Sequence, residues 1–366
     1  MDGYGYQIKV GFILFPILAF LITLPYMIKT YHKYGSIHIF RSIIIYSFAL
    51  YMLVAFFLVI LPLPPISSVN VETAKEIVLD PLYIFKEIAK KTVFNISDPT
   101  TYLPSLRQHC FTEPFYNILL TIPFGFYLRY YFKKSKWEVI IYSFVLSCFF
   151  ELTQLSGLFG IYPYPYRNFQ VDDLILNTLG GLIGYGVLTP ILSFILPSRD
   201  RIDETSILRG NRVSLLRRGV ALFIDTVFGV FLYSLLSYIF LLEPSPGFYS
   251  IFMLLYLMVS AVITNGSSIG KLIVRIKVVN EKENKPSISQ LLLRYLFRFM
   301  IYEESLIVIP WAFDIFKGSL TIYVILCIFI FIISIIYLDS LFYYKKNHKF
   351  VYETLTKTKL INMIGR

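Results

Sequence analysis

The sequence has little charge for its length. Of 366 residues only 16% are Asp, Glu, Lys or Arg, and 56% are hydrophobic, whereas a soluble domain carries roughly 25% charge. So little charge cannot cover a water-exposed surface, which excludes most soluble architectures. Lys and Arg nevertheless outnumber Asp and Glu by 34 to 23. Loops on an anionic membrane leaflet explain that excess better than nucleic acid, so we expect no nucleic-acid partner.

Residues that bind metals or form disulfides are also scarce. The three cysteines, Cys110, Cys148 and Cys327, lie far apart without paired spacing, which excludes a disulfide framework and a zinc cluster. The four histidines all fall in polar connections. There is no HExxH helix and no Gly-x-Ser-x-Gly elbow. We therefore expect no metal and no cofactor, and the sequence favours a protein that is not an enzyme.

What the sequence has instead is a series of long apolar runs. A bilayer core about 30 Å thick needs about 20 apolar residues in a helix. The predicted fold class is an all-α integral membrane protein with about nine transmembrane helices, in a five-span half and a four-span half. The spans are predicted near residues 10–28, 40–61, 115–132, 138–158, 173–195, 218–241, 248–264, 299–313 and 319–338.

The basic residues predict the orientation of these spans, since short loops rich in Lys and Arg stay on the cytoplasmic side. Three connections are basic, at 29–41, 129–136 and 199–218. Alternation then places the amino terminus outside, the long loop 62–114 outside and the carboxy terminus in the cytoplasm. The predicted location is the cell membrane.

The longest polar break between spans in the second half divides the chain into domains. We predict a membrane domain at 1–197, a cytoplasmic linker at 198–217 and a second membrane domain at 218–366. In the long outer loop, charged and apolar residues mix between Glu72 and Lys91. This pattern predicts short amphipathic helices, broken at Pro81, on the outer interface.

Polar side chains interrupt the spans of the first half. Glu151 and Gln154 are three residues apart and share one face of the predicted fourth span. Asp173 and Asn177 share one face of the fifth. Six polar residues from three spans and one outer loop are predicted to converge below the outer surface: Asn117, Glu151, Gln154, Arg167, Asp173 and Asn177.

Small residues continue the polar face of the predicted fifth span. Asp173, Asn177, Gly180 and Gly184 follow one another in steps of four, three and four residues. Gly180 and Gly184 form a GxxxG pair, which allows a neighbouring helix to approach closely. We expect a second helix to pack against this stripe.

The six polar residues carry charges of both signs. This favours a site for a lipid headgroup or a cationic sugar, and the structural alternative is that the groups satisfy only one another. The segments 117–125, 151–154 and 167–181 resemble the VanZ-like family, over about residues 10–195. The resemblance implies an envelope role in glycopeptide (teicoplanin-type) resistance of Gram-positive bacteria. Gln170 departs from the family, which often has an acidic residue there.

The second half has a separate pattern. Arg218 and Asp225 fall on one face of the sixth predicted span, so they suggest an ion pair or a cation site. Together with the tail they resemble an RDD family domain over about residues 210–361, in which the second acidic position is Glu353 or Asp339. The structural alternative is an anchoring or assembly module with an interhelical Arg218–Asp225 pair.

The leading interpretation is non-enzymatic protection of the envelope. The outer site then binds a membrane lipid, a cell-wall precursor or the glycopeptide antibiotic. One alternative is a transporter of an ion or lipid with Glu151 and Asp225 as carriers. The other is a membrane enzyme that uses Glu151 and Asp173 as general acid and base on an envelope lipid.

The predicted topology can be tested by labelling single cysteines with an impermeant reagent. A cysteine at Ser97 should react from outside the cell, and one at Ser198 only after the membrane is opened, because basic loops stay inside. Reaction of both positions from the same side would contradict the predicted orientation.

Overall fold

The computed structural model describes residues 5–241, 243, 246–299, 341 and 343–364, and these residues are mostly helical. The chain forms two compact units. The first unit contains Met1–Thr23 and His38–Asp203, and the second contains Leu24–Ile37 and Glu204–Arg366.

The elements up to residue 210 are helices with one short strand pair. They are α1 (Gly5–Tyr34), α2 (Ile39–Ile60), β1 (Ile77–Val78), α3 (Tyr83–Lys91), α4 (Tyr102–Leu106), α5 (His109–Tyr130), α6 (Lys136–Leu155), α7 (Gly157–Gly160), β2 (Phe169–Gln170), α8 (Val171–Ile183), α9 (Thr189–Ser193) and α10 (Arg199–Gly210). A π-helical turn, Gly184–Leu188, joins α8 to α9.

The remaining described elements combine helices with one antiparallel strand pair. They are α11 (Leu215–Phe240), α12 (Pro246–Ile263), α13 (Ile269–Ile273), β3 (Ile276–Asn280), α14 (Ile288–Arg298), α15 (Val351–Leu355) and β4 (Thr358–Asn362).

Local sequence signals set several helix ends. Ser135 and Glu138 form a capping box at the start of α6, and Ser287 and Gln290 form one at the start of α14. Each box satisfies two backbone N–H groups that have no partner within the helix. A proline sets the end of another helix. Helix α2 ends just before Pro62, because the residue that precedes a proline is driven out of the helical region.

Five helical segments in the described part of the chain are long and apolar enough to cross a membrane. They are α1, α2, α6, Val171–Ser193 and α11. A shorter apolar helix, Gly247–Ile263, lies at the seventh predicted span. The predicted spans 299–313 and 319–338 lie outside the described residues, and the count of nine is not confirmed. The protein is a multi-pass membrane protein.

The long helices expose apolar side chains over much of their surface. In α1, Phe20 is 80% exposed and Ile13 71% exposed. In α11, Phe231 and Tyr238 are also exposed. A water-soluble protein rarely exposes continuous apolar faces of this size, whereas lipid tails solvate them.

Glycines bring α5 and α8 into backbone contact. A Cβ atom at Gly180 would overlap the carbonyl oxygen of Ile118, and one at Gly184 would overlap that of Ile122. The close approach predicted from the GxxxG pair is therefore confirmed. Because the backbones touch, side chains on the two helices above these glycines are held at short range.

The outer loop departs from the prediction. Helix α3 begins at Tyr83, after Pro81, but residues 72–80 contain no helix. Instead β1 pairs in parallel with β2, with Ile77 opposite Phe169. The prediction of a helix before Pro81 is wrong because this segment finds its backbone partners in the 165–170 loop, where Pro165 accepts from the Lys75 N–H at 3.1 Å.

The second unit has its own apolar cores. Strands β3 and β4 pair over five residues, from Ile276 opposite Asn362 to Asn280 opposite Thr358. One buried cluster joins Ile276 to Tyr31, which lies in the end of α1 that belongs to this unit. The strand pair was not predicted, since its apolar residues continue those of the neighbouring helices without a change of period.

The α5–α8 contact can be tested with two alanine substitutions. Gly180→Ala should destabilise the protein by about 1–3 kcal/mol, because the new Cβ needs space that the Ile118 carbonyl occupies. Gly186→Ala is the control, since a Cβ there meets nothing within 4 Å. Thermal unfolding in detergent measures both. Equal unfolding temperatures for the two variants would contradict the tight contact.

Candidate functional site

A chain of hydrogen bonds joins α5, α6 and α8 in the first unit. Asn117 on α5 donates through Nδ2 to the Asp173 carboxylate. On α6, Ser147 donates through Oγ to the Asp173 carbonyl at 3.2 Å, and it accepts from Asn177 Nδ2 at 2.8 Å. Thr121 closes the chain by donating to the Asn177 carbonyl at 2.6 Å. The structure therefore brings together three of the six predicted residues, Asn117, Asp173 and Asn177.

Glu151 lies on the same buried face of α6, and only 4% of the residue is exposed. Its Oε2 accepts from the Gln170 backbone N–H at 3.2 Å. Gln170 thus contributes its backbone N–H to the site. The charges of Asp173 and Glu113 repel that of Glu151, and Arg167 attracts it.

Glu113 is a carboxylate that the sequence analysis missed. Its charge acts on both Glu151 and Asp173, and its own ion pair is with His109, with 3.1 Å between Nδ1 and Oε2. It lies four residues before Asn117, which is one helical turn on the same face. That spacing was the available signal. With Glu113, the site holds more negative than positive charge.

Arg167 and Gln154 both donate to the end of α2. Arg167 donates to the carbonyls of Val59, at 2.8 Å, and Leu61, at 3.4 Å. Gln154 also donates to Val59, at 2.9 Å. These carbonyls end α2, where the last turn has no partners within the helix and carries partial negative charge. The two side chains therefore cap α2, and Arg167 forms no ion pair within the described residues.

Asp172, next to Asp173, holds the outer loop. Its two carboxylate oxygens accept from the backbone N–H groups of Leu82, at 2.6 Å, and Ile84, at 2.8 Å. These N–H groups stand at the start of α3, where a negative charge is favourable. Only 4% of Asp172 is exposed. The cluster and the outer loop are therefore attached to adjacent residues of one helix.

A buried ion triad lies in the second unit. Arg218 donates to Glu353 at 2.8 Å and Arg294 donates to it at 2.6 Å, while the Glu353 side chain is completely buried. The predicted pair of Arg218 with Asp225 is wrong: the two residues are seven positions apart, about 10 Å along a helix, and Glu353 reaches Arg218 from the tail. Glu353 is the acidic partner, and the alternative, Asp339, lies outside the described residues.

The triad keeps Glu353 ionised. Burial alone raises the pKa of this carboxyl, but the charges and hydrogen bonds of Arg294 and Arg218 outweigh it, so the pKa lies below its usual range. A depressed carboxyl pKa means that the ionised form stabilises the fold.

Asp225 is bound by a turn instead of an arginine. Its carboxylate accepts from the Ser268 hydroxyl at 2.5 Å, from the Gly270 N–H at 2.7 Å and from the Tyr256 hydroxyl at 3.3 Å. Lys271, also buried, donates to Ser268 at 3.1 Å. Asp225 and Lys271 are thus joined through one hydroxyl. A lysine in the apolar run 269–274 was the sequence signal for this network.

Arg217 is a further functional-looking residue that the sequence analysis did not single out. It is fully buried and donates to the carbonyls of Val274, Gly210 and Arg275 and to Asn362 Oδ1, at 2.8 to 3.2 Å. Because these partners are neutral carbonyl and amide groups, the role of Arg217 is to hold backbone segments together. Two adjacent arginines in a sequence do not reveal which one is structural.

No group of three metal-ligating side chains occurs among the residues that the structure describes. The polar clusters of both units are instead built from carboxylates, amides, hydroxyls and basic side chains. Exposed apolar helices around such clusters define a multi-pass membrane protein.

Comparison with known proteins agrees with this class. Residues 48–196 match the family model described as VanZ/LLP1, and residues 212–350 match that of the RDD family. The chain is therefore a VanZ-like segment followed in tandem by an RDD family segment. Neither the search of curated proteins nor the search of solved structures gave a match.

The buried triad predicts a pH-dependent stability. Glu353→Gln should cost about 3–5 kcal/mol at pH 7, because two buried arginines lose the carboxylate that they share. The stability that Glu353 provides is fully present above its unfolded pKa of about 4.3 and is lost as the pH falls through its lower folded pKa. The gap between wild type and variant should therefore narrow at acid pH.

Unfolding in denaturant at pH 7 and at several pH values below about 4 measures this gap. Glu283→Gln is the control, since Glu283 pairs with Lys359 at the surface and is 44% exposed. A Glu353 variant as stable as the control at pH 7 would refute the triad's role.

Proposed function

We propose that the VanZ-like segment binds a polar ligand from outside the cell and thereby contributes to glycopeptide (teicoplanin-type) resistance of a Gram-positive bacterium. The ligand is a lipid headgroup, a cell-wall precursor or the drug itself. The binding residues are the predicted six, to which Glu113 is added. The function is binding, without a chemical step.

One observation carries this proposal: the carboxylates of the site exceed its cations. Glu151, Asp173 and Glu113 interact electrostatically at one place, and Arg167 is the cation that acts on the first two. Arg167 spends hydrogen bonds on the end of α2. A buried carboxyl that served only the fold would have its hydrogen bonds filled within the protein, because a buried polar group without a partner costs free energy. Glu151 accepts from one backbone N–H and Asp173 from one amide, and neither has a basic partner among the described residues. A cationic or hydrogen-bond-donating group of a ligand would supply a further partner.

The same proposal includes nine spans in the cell membrane, with the amino terminus outside and the carboxy terminus in the cytoplasm. It rests on the basic connections of the sequence and places the 62–114 loop and the cluster at the outer surface. It also keeps a first domain at 1–197, a linker at 198–217 and a second domain at 218–366.

The RDD segment is assigned a structural role in this proposal. Asp225 accepts hydrogen bonds from Ser268, Gly270 and Tyr256, and Glu353 is shared by two arginines. Carboxylates so fully bonded favour an anchoring module over an ion carrier.

Glu151→Gln tests the proposed site, because it keeps the shape of the side chain and removes only its charge. In a deletion strain complemented with this variant, the glycopeptide concentration that stops growth should fall to that of the uncomplemented strain. The amount of protein in the membrane should stay at the wild-type level. Lipid-tailed and plain glycopeptides are compared, and immunoblots measure abundance.

Glu72→Gln is the matched control, since it removes one exposed carboxylate of the outer loop. It should keep full resistance. A Glu151 variant with full resistance, or one that loses resistance only in proportion to its abundance, would show that the cluster is structural and would sink the binding proposal.

A further inference from the structure

A cleft of about 470 Å³ lies in the second unit, away from the Asp225 network. Its walls come from the segment before α11, from β4, and from Tyr344 and residues 347–349, and all of them belong to the same unit. Its volume falls in the range of small-molecule sites, which is about 300–1,000 Å³.

The walls of this cleft are strongly basic. Arginines and lysines outnumber carboxylates, and a histidine is added. The charged or titratable lining residues are Arg212, Arg218, Glu283, His348, Lys349 and Lys359. Two of these cations already have a carboxylate partner: Lys359 pairs with Glu283 at 2.9 Å and Lys349 pairs with Glu281 at 3.7 Å. Both pairs are partly exposed, and such surface pairs are weak enough for a lysine to exchange its carboxylate for a phosphate. Arg212 is exposed and forms no ion pair with the residues that the structure describes.

Arg218 lines this cleft and is largely buried. Its side chain is 12% exposed and one end bonds Glu353, but its Nε is buried without a hydrogen-bond partner in the described structure. The triad as a whole, two arginines on one glutamate, keeps a net positive charge. This net positive charge favours an anion in the cleft.

We propose that this cleft binds a phosphate group, and that Arg212, Lys359 and Arg218 are its main ligands. Arginine and lysine are the usual phosphate donors in proteins, since phosphate oxygens accept several charge-assisted hydrogen bonds. The phosphate belongs either to an anionic lipid headgroup or to a soluble phosphate ester. Arg212 lies in the basic stretch 199–218, and such stretches face the leaflet that carries anionic lipids.

Native mass spectrometry of the full-length chain in detergent tests the proposal. Phosphatidylglycerol, which is anionic, is titrated against phosphatidylcholine, which has no net charge. The wild type should bind one phosphatidylglycerol about tenfold more tightly, since about 1.4 kcal/mol is the worth of one charge-assisted hydrogen bond. The double variant Arg212→Gln with Lys359→Gln should lose this preference. The single variant Arg212→Gln, at an exposed position, should weaken it without affecting folding.

A second double variant controls for charge alone. Lys345→Gln with Lys346→Gln removes the same charge from exposed positions outside the cleft walls and should keep the preference. Glycerol 3-phosphate, titrated separately, identifies the source of the phosphate. Binding that depends on Arg212 and Lys359 indicates a soluble ester, whereas binding of phosphatidylglycerol alone indicates a lipid headgroup. If neither probe binds, or if both double variants weaken binding equally, the cleft is not a phosphate site.

Discussion

A polar group inside a membrane protein has to find its partner within the protein, because lipid tails offer none. The end of α2 depends on this constraint. In an apolar layer, the carbonyls of Val59 and Leu61 would have no hydrogen-bond donor. Arg167 and Gln154 supply the donors and reach these carbonyls from separate elements. The hydrogen bonds to the end of α2 therefore hold two segments in place, which are the short loop that follows α7 and the carboxy-terminal half of α6. The polar cluster is built on residues that this requirement already holds in place.

The same constraint decides how the hydrogen-bond donors of the cluster are used. Hydrogen bonds to one another and to the backbone use the donors of Asn177, Ser147 and Thr121. Both carboxylate oxygens of Asp172 accept hydrogen bonds from backbone N–H groups at the start of α3. The carboxylates of the cluster differ from these groups, because they outnumber the basic side chains nearby. The functional hypothesis rests on these carboxylates.

Much of this architecture could be predicted from the sequence, for a physical reason. Hydropathy measures transfer into an apolar medium directly, so long apolar runs located helices such as α2, α6 and α11. Helical spacing placed Glu151 and Gln154 on one buried face, and the pair Gly180 and Gly184 at a close helix contact. Partners were harder to predict. A guanidinium can donate to a carboxylate or to a carbonyl, so the sequence does not show which of them it will bond. Glu353, the partner of Arg218, also lies 135 residues further along the chain.

Asp172 and Asp173 share one peptide unit but bond to different parts of the protein. The first holds the N–H groups that begin α3, and the second holds Asn117 on α5. Binding and loop docking are then two sides of one thermodynamic cycle. Whatever free energy a ligand at Asp173 adds to the docked loop is returned, in equal amount, as tighter ligand binding whenever the loop is held in place. The docked loop and the cluster therefore cannot change independently, because a change at either one is felt by the other through α8.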